Sequence, residues 1–356
     1  MFKSFKSLAA QMMKPGTVPM EMKVEPVSES VTEKFYRNLL KEGGIEMVKS
    51  RRYKELSNIE IIGIDHGNSQ IKTVNEIFPT GIKEISTEPP FFEDILEIKD
   101  RYYKIGGERL EVKNTKSEDE DFKRLTYAAV AKELKNRRLQ DANIVLAVGL
   151  PPTRYGAEKQ SFVEYLNKPE EVSFLYEQKP YHITIAGVMV FPQCFAAVAD
   201  MIPGMDSKVV AVDIGSWTVD IIPIINRKPE TGSECTINDG IIPCMRDIQN
   251  ESVRLFNEKI DEMVIQEYIM TGKCNLPKDF KAIMDSKLHG FAEKIMKVIR
   301  EQGYSLQTTQ FIFAGGGASI IKNFGGYQQN NIRYRFDVRA NAKGYETLAK
   351  IAMKRG

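Results

Sequence analysis

Two stretches of this chain are built alike. Ile61-Ile62-Gly63-Ile64-Asp65-His66-Gly67-Asn68-Ser69-Gln70-Ile71-Lys72 and Val209-Val210-Ala211-Val212-Asp213-Ile214-Gly215-Ser216-Trp217-Thr218-Val219-Asp220 each run from an apolar strand into Asp-x-Gly-[Asn/Ser]. A polar turn and a second apolar run follow in both. The two aspartates stand 148 positions apart (213 minus 65). One Asp-x-Gly marks many ordinary tight turns, whereas two with matching flanks point to a shared task. The physics is that of a hairpin that grips phosphate. Gly67 and Gly215 can take positive φ and let the backbone approach an anion with no Cβ in the way. Successive turn N–H groups and small side chains then meet phosphate oxygens. Asp65 and Asp213, at the strand ends, suit a hydrated Mg²⁺, which takes oxygen ligands and keeps several waters.

A third segment, Phe311-Ile312-Phe313-Ala314-Gly315-Gly316-Gly317-Ala318-Ser319, runs from an apolar strand through three glycines into a helix. Adjacent glycines are costly in an ordered region unless something must lie flat against the backbone, and a nucleoside is the natural candidate. The segment is not a Walker A loop, because no Gly-Lys-[Ser/Thr] follows, nor is it G-x-G-x-x-G.

At 356 residues the chain exceeds the roughly 250–300 that one core serves, so two domains or one two-lobed unit are expected. Hydrophobic residues at 42% and charged ones at 28% exclude a wholly disordered, collagenous or coiled-coil chain. A formal charge of +2 gives no electrostatic case for sequence-independent nucleic-acid binding. The four cysteines form no C-x-x-C pair and the three histidines are scattered, which argues against zinc and for a reducing, cytoplasmic setting. The most apolar stretch, Ile183 to Ala199, is broken by Pro192 and Gln193 and reads as a buried strand followed by a helix.

From Ile59 onward, short β-branched runs alternate with helical patterns, the mark of α/β architecture. Strands are expected over Glu60–Asp65, Ser69–Phe78, Ile95–Ile98, Arg101–Ile105, Asn143–Gly149, His182–Phe191, Lys208–Asp213, Thr218–Ile225 and Gln310–Ala314. Helices are expected over Phe122–Asn136, Gly156–Leu166, Gln193–Met201, Ile242–Lys259, Glu262–Thr271, Asp279–Glu301, Ser319–Asn323 and Lys343–Met353. Residues 1–57 differ: Pro15, Gly16, Pro19 and Pro26 punctuate them, a helical run covers Thr32 to Lys41, and Gly43-Gly44 stop it. Phe2, Phe5, Leu8, Ala9, Met12 and Met13 recur at helical spacing among Lys3, Lys6 and Lys14. That pattern reads as a membrane-surface helix, or as a short helix docked on the chain itself or on a neighbouring subunit.

The three phosphate and glycine segments, in this order, resemble the actin-like ATPase superfamily of actin, heat-shock chaperones and sugar kinases. Within it the chain is most similar to the bacterial plasmid-segregation actins, the ParM/StbA-like group. Gly149-Leu150-Pro151-Pro152-Thr153-Arg154-Tyr155-Gly156 resembles that group's GLP…YG segment. Val190-Phe191-Pro192-Gln193 stands where the family's first inter-domain connection carries its catalytic polar residue. Ala340-Asn341-Ala342-Lys343-Gly344-Tyr345 resembles the start of the C-terminal connecting helix. The likeness covers roughly residues 58–356.

The resemblance implies an α/β, two-lobed actin-like (ribonuclease H-like) ATPase fold with nucleotide in the inter-lobe cleft. The expected parts are an N-terminal extension, partly helical or linker, over 1–57; a first domain with a small inserted subdomain over 58–207; a second over 208–338; and a C-terminal helix over 339–356 returning to the first. It also implies roles. Asp65, Gly67, Asn68, Ser69 and Lys72 form the first phosphate loop, with Asp65 on Mg²⁺ through water and Lys72 on the β- and γ-phosphates. Asp213, Gly215, Ser216 and Thr218 form the second, with Asp213 on the metal or the attacking water. Gln193 orients that water; a buried helix-start glutamine without a catalytic part is the other reading. Gly315, Gly316 and Gly317 floor the base pocket for ATP, or equally for GTP. Arg246, Asp247 and Glu251 are spaced to meet the ribose, as solvated helix residues also would be. His66 is read as a turn residue near phosphate, and Trp217, the only tryptophan, receives no role.

The implied function is a cytomotive filament. The chain assembles with itself in a helical filament when ATP is bound, and hydrolysis destabilises the assembly. A DNA-bound adaptor of the ParR type links it to plasmid copies, and no direct DNA binding is expected. The alternatives are an MreB-like scaffold filament held to a membrane through residues 1–14, and a sugar or acetate kinase with Asp220 as its candidate carboxylate.

Overall fold

The alternating β-branched and helical stretches build two sheets. The computed structural model describes residues 47–51, 53–107, 109, 120–205 and 207–354. The helix expected over 32–41 and the amphipathic run over 1–14 lie outside the described residues.

The first sheet contains β1 (Met47–Lys49), β2 (Ile59–His66), β3 (Gln70–Thr73), β4 (Ile77–Pro79), β5 (Ile82–Ile85), β6 (Ile95–Ile98), β7 (Arg101–Ile105), β8 (Asp141–Leu150), β9 (Glu171–Tyr176) and β10 (Lys179–Pro192). Its order is β4-β3-β2-β8-β10-β9-β6-β7-β5, with β1 pairing antiparallel to the distal part of β10. The central β2, β8 and β10 are parallel and almost wholly apolar, as strands covered on both faces must be. Helices α1 (Glu120–Arg137) and α2 (Pro152–Leu166) supply the crossovers. The stretch read as one strand, Ser69–Phe78, is two. Thr73 N–H bonds to the Glu76 carbonyl at 2.9 Å, and buried Glu133 accepts from the Asn75 N–H and amide at 2.8 and 2.9 Å, fixing a turn between β3 and β4.

The second sheet contains β11 (Lys208–Ile214), β12 (Val219–Ile225), β13 (Lys228–Pro229), β14 (Cys235–Ile237), β15 (Gln310–Ala314) and β16 (Ile332–Arg335), in the order β13-β12-β11-β15-β16 with β14 on β12. Between the sheets run α3 (Phe195–Val198) and a 3₁₀ segment, Ala199–Gly204. A helix from Gln193 to Met201 was expected there; the ordered α-helix is shorter, because Pro203 and the 3₁₀ segment tighten its end, and Gln193 lies outside it. The second lobe adds α4 (Ile241–Phe256), α5 (Glu262–Thr271), α6 (Lys278–Glu301) and α7 (Ala318–Phe324). The chain then returns through α8 (Ala340–Met353), which packs on α3 and β2.

Three apolar cores result. One fills the first lobe around Leu146, Phe162 and Phe174, and another fills the second around Ile248, Phe291 and Phe313. The third draws on both sheets at once: Ile61, Ala147 and Phe191 from the first, and Val209, Ala211 and Ile312 from the second. Phe195, Tyr345 and Leu348 seal it. The lobes are therefore joined by shared apolar packing as well as by two chain crossings. Among the described residues no helix is long and apolar enough to cross a membrane.

Candidate functional site

The same local plan recurs in both sheets. β2 and β3 form an antiparallel hairpin in which Asp65 lies opposite Lys72, and β2 is flanked by parallel β8. β11 and β12 repeat it with Asp213 opposite Asp220, flanked by parallel β15. Both turns thus sit beyond the carboxyl ends of parallel strands, the usual place for ligands in open α/β sheets.

The turn glycines serve close approach rather than an unusual φ. Neither Gly67 nor Gly215 has positive φ, which corrects the expectation. A Cβ on Gly67 would stand 2.6 Å from the Gln70 carbonyl oxygen, and one on Gly215 would stand 3.1 Å from that of Thr218. The Lys72 ammonium lies over the first turn, 3.6 Å from the position of such a Cβ on Gly67. Asn68 is half-buried and Ser69 buried in that turn, and Ser216 and Thr218 are half-buried in the other.

Four of the residues proposed for chemistry meet. Asp65 is 4% exposed and accepts from Lys72 Nζ and from Gln193 Nε2, each at 3.3 Å. Asp213, 9% exposed, accepts from Asn341 Nδ2 at 2.6 Å. Burial pushes the Asp213 carboxyl above its ordinary range and the charge of Asp65 adds to this, while the Asn341 hydrogen bond and Lys72 oppose it. The two aspartates and Lys72 therefore form one electrostatic unit, drawn from both lobes. Asp220 is engaged elsewhere: it accepts from Thr236 Oγ1 at 2.7 Å, and the Thr236 hydroxyl lies 2.8 Å from that of Thr153 across the lobes.

The triple glycine is largely committed to the protein's own packing. Gly315 has φ +81°, and a Cβ there would stand 2.4 Å from Asp213 Oδ1; one on Gly317 would stand 2.1 Å from Ile214 Cγ2. At Gly316 the nearest atoms are the Ile241 and Val338 side chains at 3.6 and 3.8 Å, so this is the member with room beside it. The second loop is also docked on the start of α4, since Ile241 and Ile242 N–H groups bond to the Gly215 and Ser216 carbonyls at 3.1 and 2.9 Å. Farther along α4 the proposed ribose residues separate. The Arg246 guanidinium sits 5.1 Å from the Trp217 ring centre, next to the loop. Asp247 is exposed, and Glu251 is paired with Arg254 at 2.7 and 3.1 Å. His66 is buried, bonded to Thr126 Oγ1 at 2.8 Å and edge-on to Phe162, which fits a structural part.

The donor set suits magnesium. Two buried carboxylates with one lysine leave a net negative, oxygen-rich spot, and Mg²⁺ needs only one or two protein carboxylates because it keeps its waters. Among the described residues no group of three or more His, Cys, Asp or Glu side chains gathers as a metal cage. Two contributors were not assigned roles from sequence. Asn341 bridges Asp213 to the Cys194 N–H, the latter at 3.1 Å. Tyr345 is fully buried, and the charges of Asp65 and Asp213 reinforce the effect of burial in pushing its hydroxyl pKa up. The Ala-Asn-x-x-Gly-Tyr segment was the signal that held both.

Comparison with known proteins bears on the fold. Residues 63–195 match the family model for the N-terminal domain of actin-like proteins. No curated protein matches the chain. Among solved structures, the apo pSK41 ParM protein superposes with a TM-score of 0.64 at 20% identity, covering 84% of this chain and 99% of that one. Ta0583, an archaeal actin homologue in complex with ADP, gives 0.66 at 18% identity over 83% and 99%. The Alp12 filament structure gives 0.63 at 15% identity over 84% and 100%. The chain thus carries an actin-like N-terminal domain over residues 63–195, and its fold as a whole is that of the actin-like proteins.

Proposed function

We propose that this chain is an actin-like ATPase that assembles with itself into filaments, and that the filament moves plasmid DNA through a DNA-bound adaptor. The observation that carries the reading is the meeting of Asp65, Lys72, Gln193 and Asp213 at the paired hairpin turns. Solved relatives in fold include one with ADP and one in filament form, which supports the nucleotide-binding and self-assembly parts of the proposal.

Phosphoryl transfer to water is mainly positioning and charge stabilisation. The turn N–H groups of residues 67–69 and 216–218 hold phosphate oxygens, and Lys72 offsets their charge. Gln193 orients the attacking water, because the amide oxygen can accept a hydrogen bond from water while Nε2 donates to Asp65. Asp65 and Asp213 hold hydrated Mg²⁺, which when bound neutralises charge on the transferred group. A nucleotide touching both hairpins favours a closed arrangement of the lobes, and hydrolysis removes that preference. Head-to-tail contacts that do not close into a ring then give helical filaments. The adaptor supplies the DNA contact, in keeping with a net charge of +2.

Gln193→Ala tests the chemistry. Phosphate release is expected to slow by about 10²-fold while Mg²⁺-ATP binding, titrated separately, stays intact. A variant that hydrolyses at the parent rate removes Gln193 from the mechanism.

A further inference from the structure

Gln193 is followed by an unusual turn. The Phe195 N–H bonds to the Gln193 carbonyl at 2.6 Å, spanning the single residue Cys194, whose φ and ψ are 62° and −56°. This is a γ-turn of the rarer, strained hand. Strained backbone persists only where surrounding structure over-determines it, and it gathers at functional and switching segments. Here the turn lies where β10 ends and the crossing to the second lobe begins.

Asn341 holds that turn. Its Oδ1 accepts from the Cys194 N–H at 3.1 Å and its Nδ2 donates to Asp213 Oδ2 at 2.6 Å. The amide orientation is fixed by chemistry, since the reverse would set an N–H₂ against an N–H and an oxygen against a carboxylate. Asn341 is 9% exposed, and its helix is locked to the crossing: a Cβ on Gly344 would stand 2.0 Å from the Ala196 carbonyl oxygen. The Cys194 thiol, in turn, points to the Asp220 carbonyl at 3.6 Å. One side chain thus joins the second hairpin to the residue beside Gln193.

We propose that Asn341 is a positioning residue: its amide couples Asp213 to the γ-turn that aims Gln193, so a shift of the second hairpin is passed to Gln193. An aspartate at 341 would set like charge against Asp213, and an aliphatic residue would leave both partners unbonded. The catalytic meaning rests on the functional reading above, whereas the coupling itself does not.

The test is a double-substitution cycle on the full chain without nucleotide, reading hydrogen exchange of the Cys194 amide by NMR. Asn341→Ser is expected to speed that exchange at least tenfold. Asp213→Ala is expected to speed it at least threefold in the parent and to add nothing in the Asn341→Ser background. Equal increments in both backgrounds, or no response to Asp213→Ala in the parent, would overturn the coupling. Thermal melting checks folding, and Asn341→Thr stands in should the serine variant not fold. In a second arm, Asn341→Ser is expected to lower kcat for ATP tenfold or more with ATP affinity within threefold of the parent. Unchanged kcat, or affinity and kcat falling together, would reduce Asn341 to structural support. A parent that releases no phosphate would sink the ATPase reading, and the exchange cycle would still decide the coupling.

Discussion

Asp213 is buried and set near the charge of Asp65, and these outweigh the opposing Asn341 hydrogen bond and Lys72, so in the folded chain it holds its proton more tightly than an exposed aspartate does. The consequence for stability has a definite sign. Between the ordinary aspartate pKa and the raised one, the folded state keeps a proton that the unfolded state has released. Stability therefore falls as pH rises through that window, and the full cost remains above it. Asp213→Asn removes the cost while keeping the shape and a partner for Asn341. In EDTA and without nucleotide, the variant is expected to melt above the parent at pH 7, with the gap closing as pH falls toward the ordinary aspartate value. An equal or lower melting temperature at pH 7 would show that the ionised carboxylate is not held at a cost. The gain in stability should come with lost activity, as is common where a strained site is needed for function.

At the scale of elements, the strand-turn-helix at residues 310–324 separates two uses of glycine. Gly315 needs positive φ and sits against the Asp213 carboxylate, so Gly315→Ala is expected to destabilise by about 2–4 kcal/mol in denaturant unfolding. Gly316 lacks positive φ, and a Cβ there would make only ordinary contacts with Ile241 and Val338, so Gly316→Ala should fold like the parent and lose nucleotide affinity in a titration. If Gly316→Ala binds nucleotide as the parent does, no base lies against that residue. The same segment shows how far sequence reading reached. Strand, glycines and helix were legible because strand and helix periods and glycine punctuation are local signals. What the glycines pack against was not, since Asp213 lies about a hundred residues away in the chain. Asn341 and Asp213, 128 positions apart, illustrate the same limit. The paired hairpins were legible as local motifs, whereas Gln193 was singled out only through the family resemblance. Of the strands not foreseen, β13, β14 and β5 are short, with two, three and four residues. β9 was readable, because Val172, Phe174 and Tyr176 alternate inward.

The whole molecule is two lobes joined through a shared core, with the carboxylates, Lys72 and Gln193 beside the crossings. Such a frame lets a ligand that touches both hairpins bias the lobe arrangement, and lets a surface formed only in one arrangement control assembly. The cross-lobe contacts Thr153–Thr236 and Arg109–Glu262, both at 2.8 Å, are partly exposed. They are expected to add little to stability by themselves. The nucleotide, not these contacts, is the main determinant of assembly in this account. The most direct test is light scattering with pelleting of the purified chain in Mg²⁺ with ATP, ADP or a non-hydrolysable ATP analogue. Assembly with ATP and with the analogue, decaying only with ATP as phosphate is released, is the predicted result; equal behaviour in all three nucleotides, or no assembly at any concentration, would contradict it.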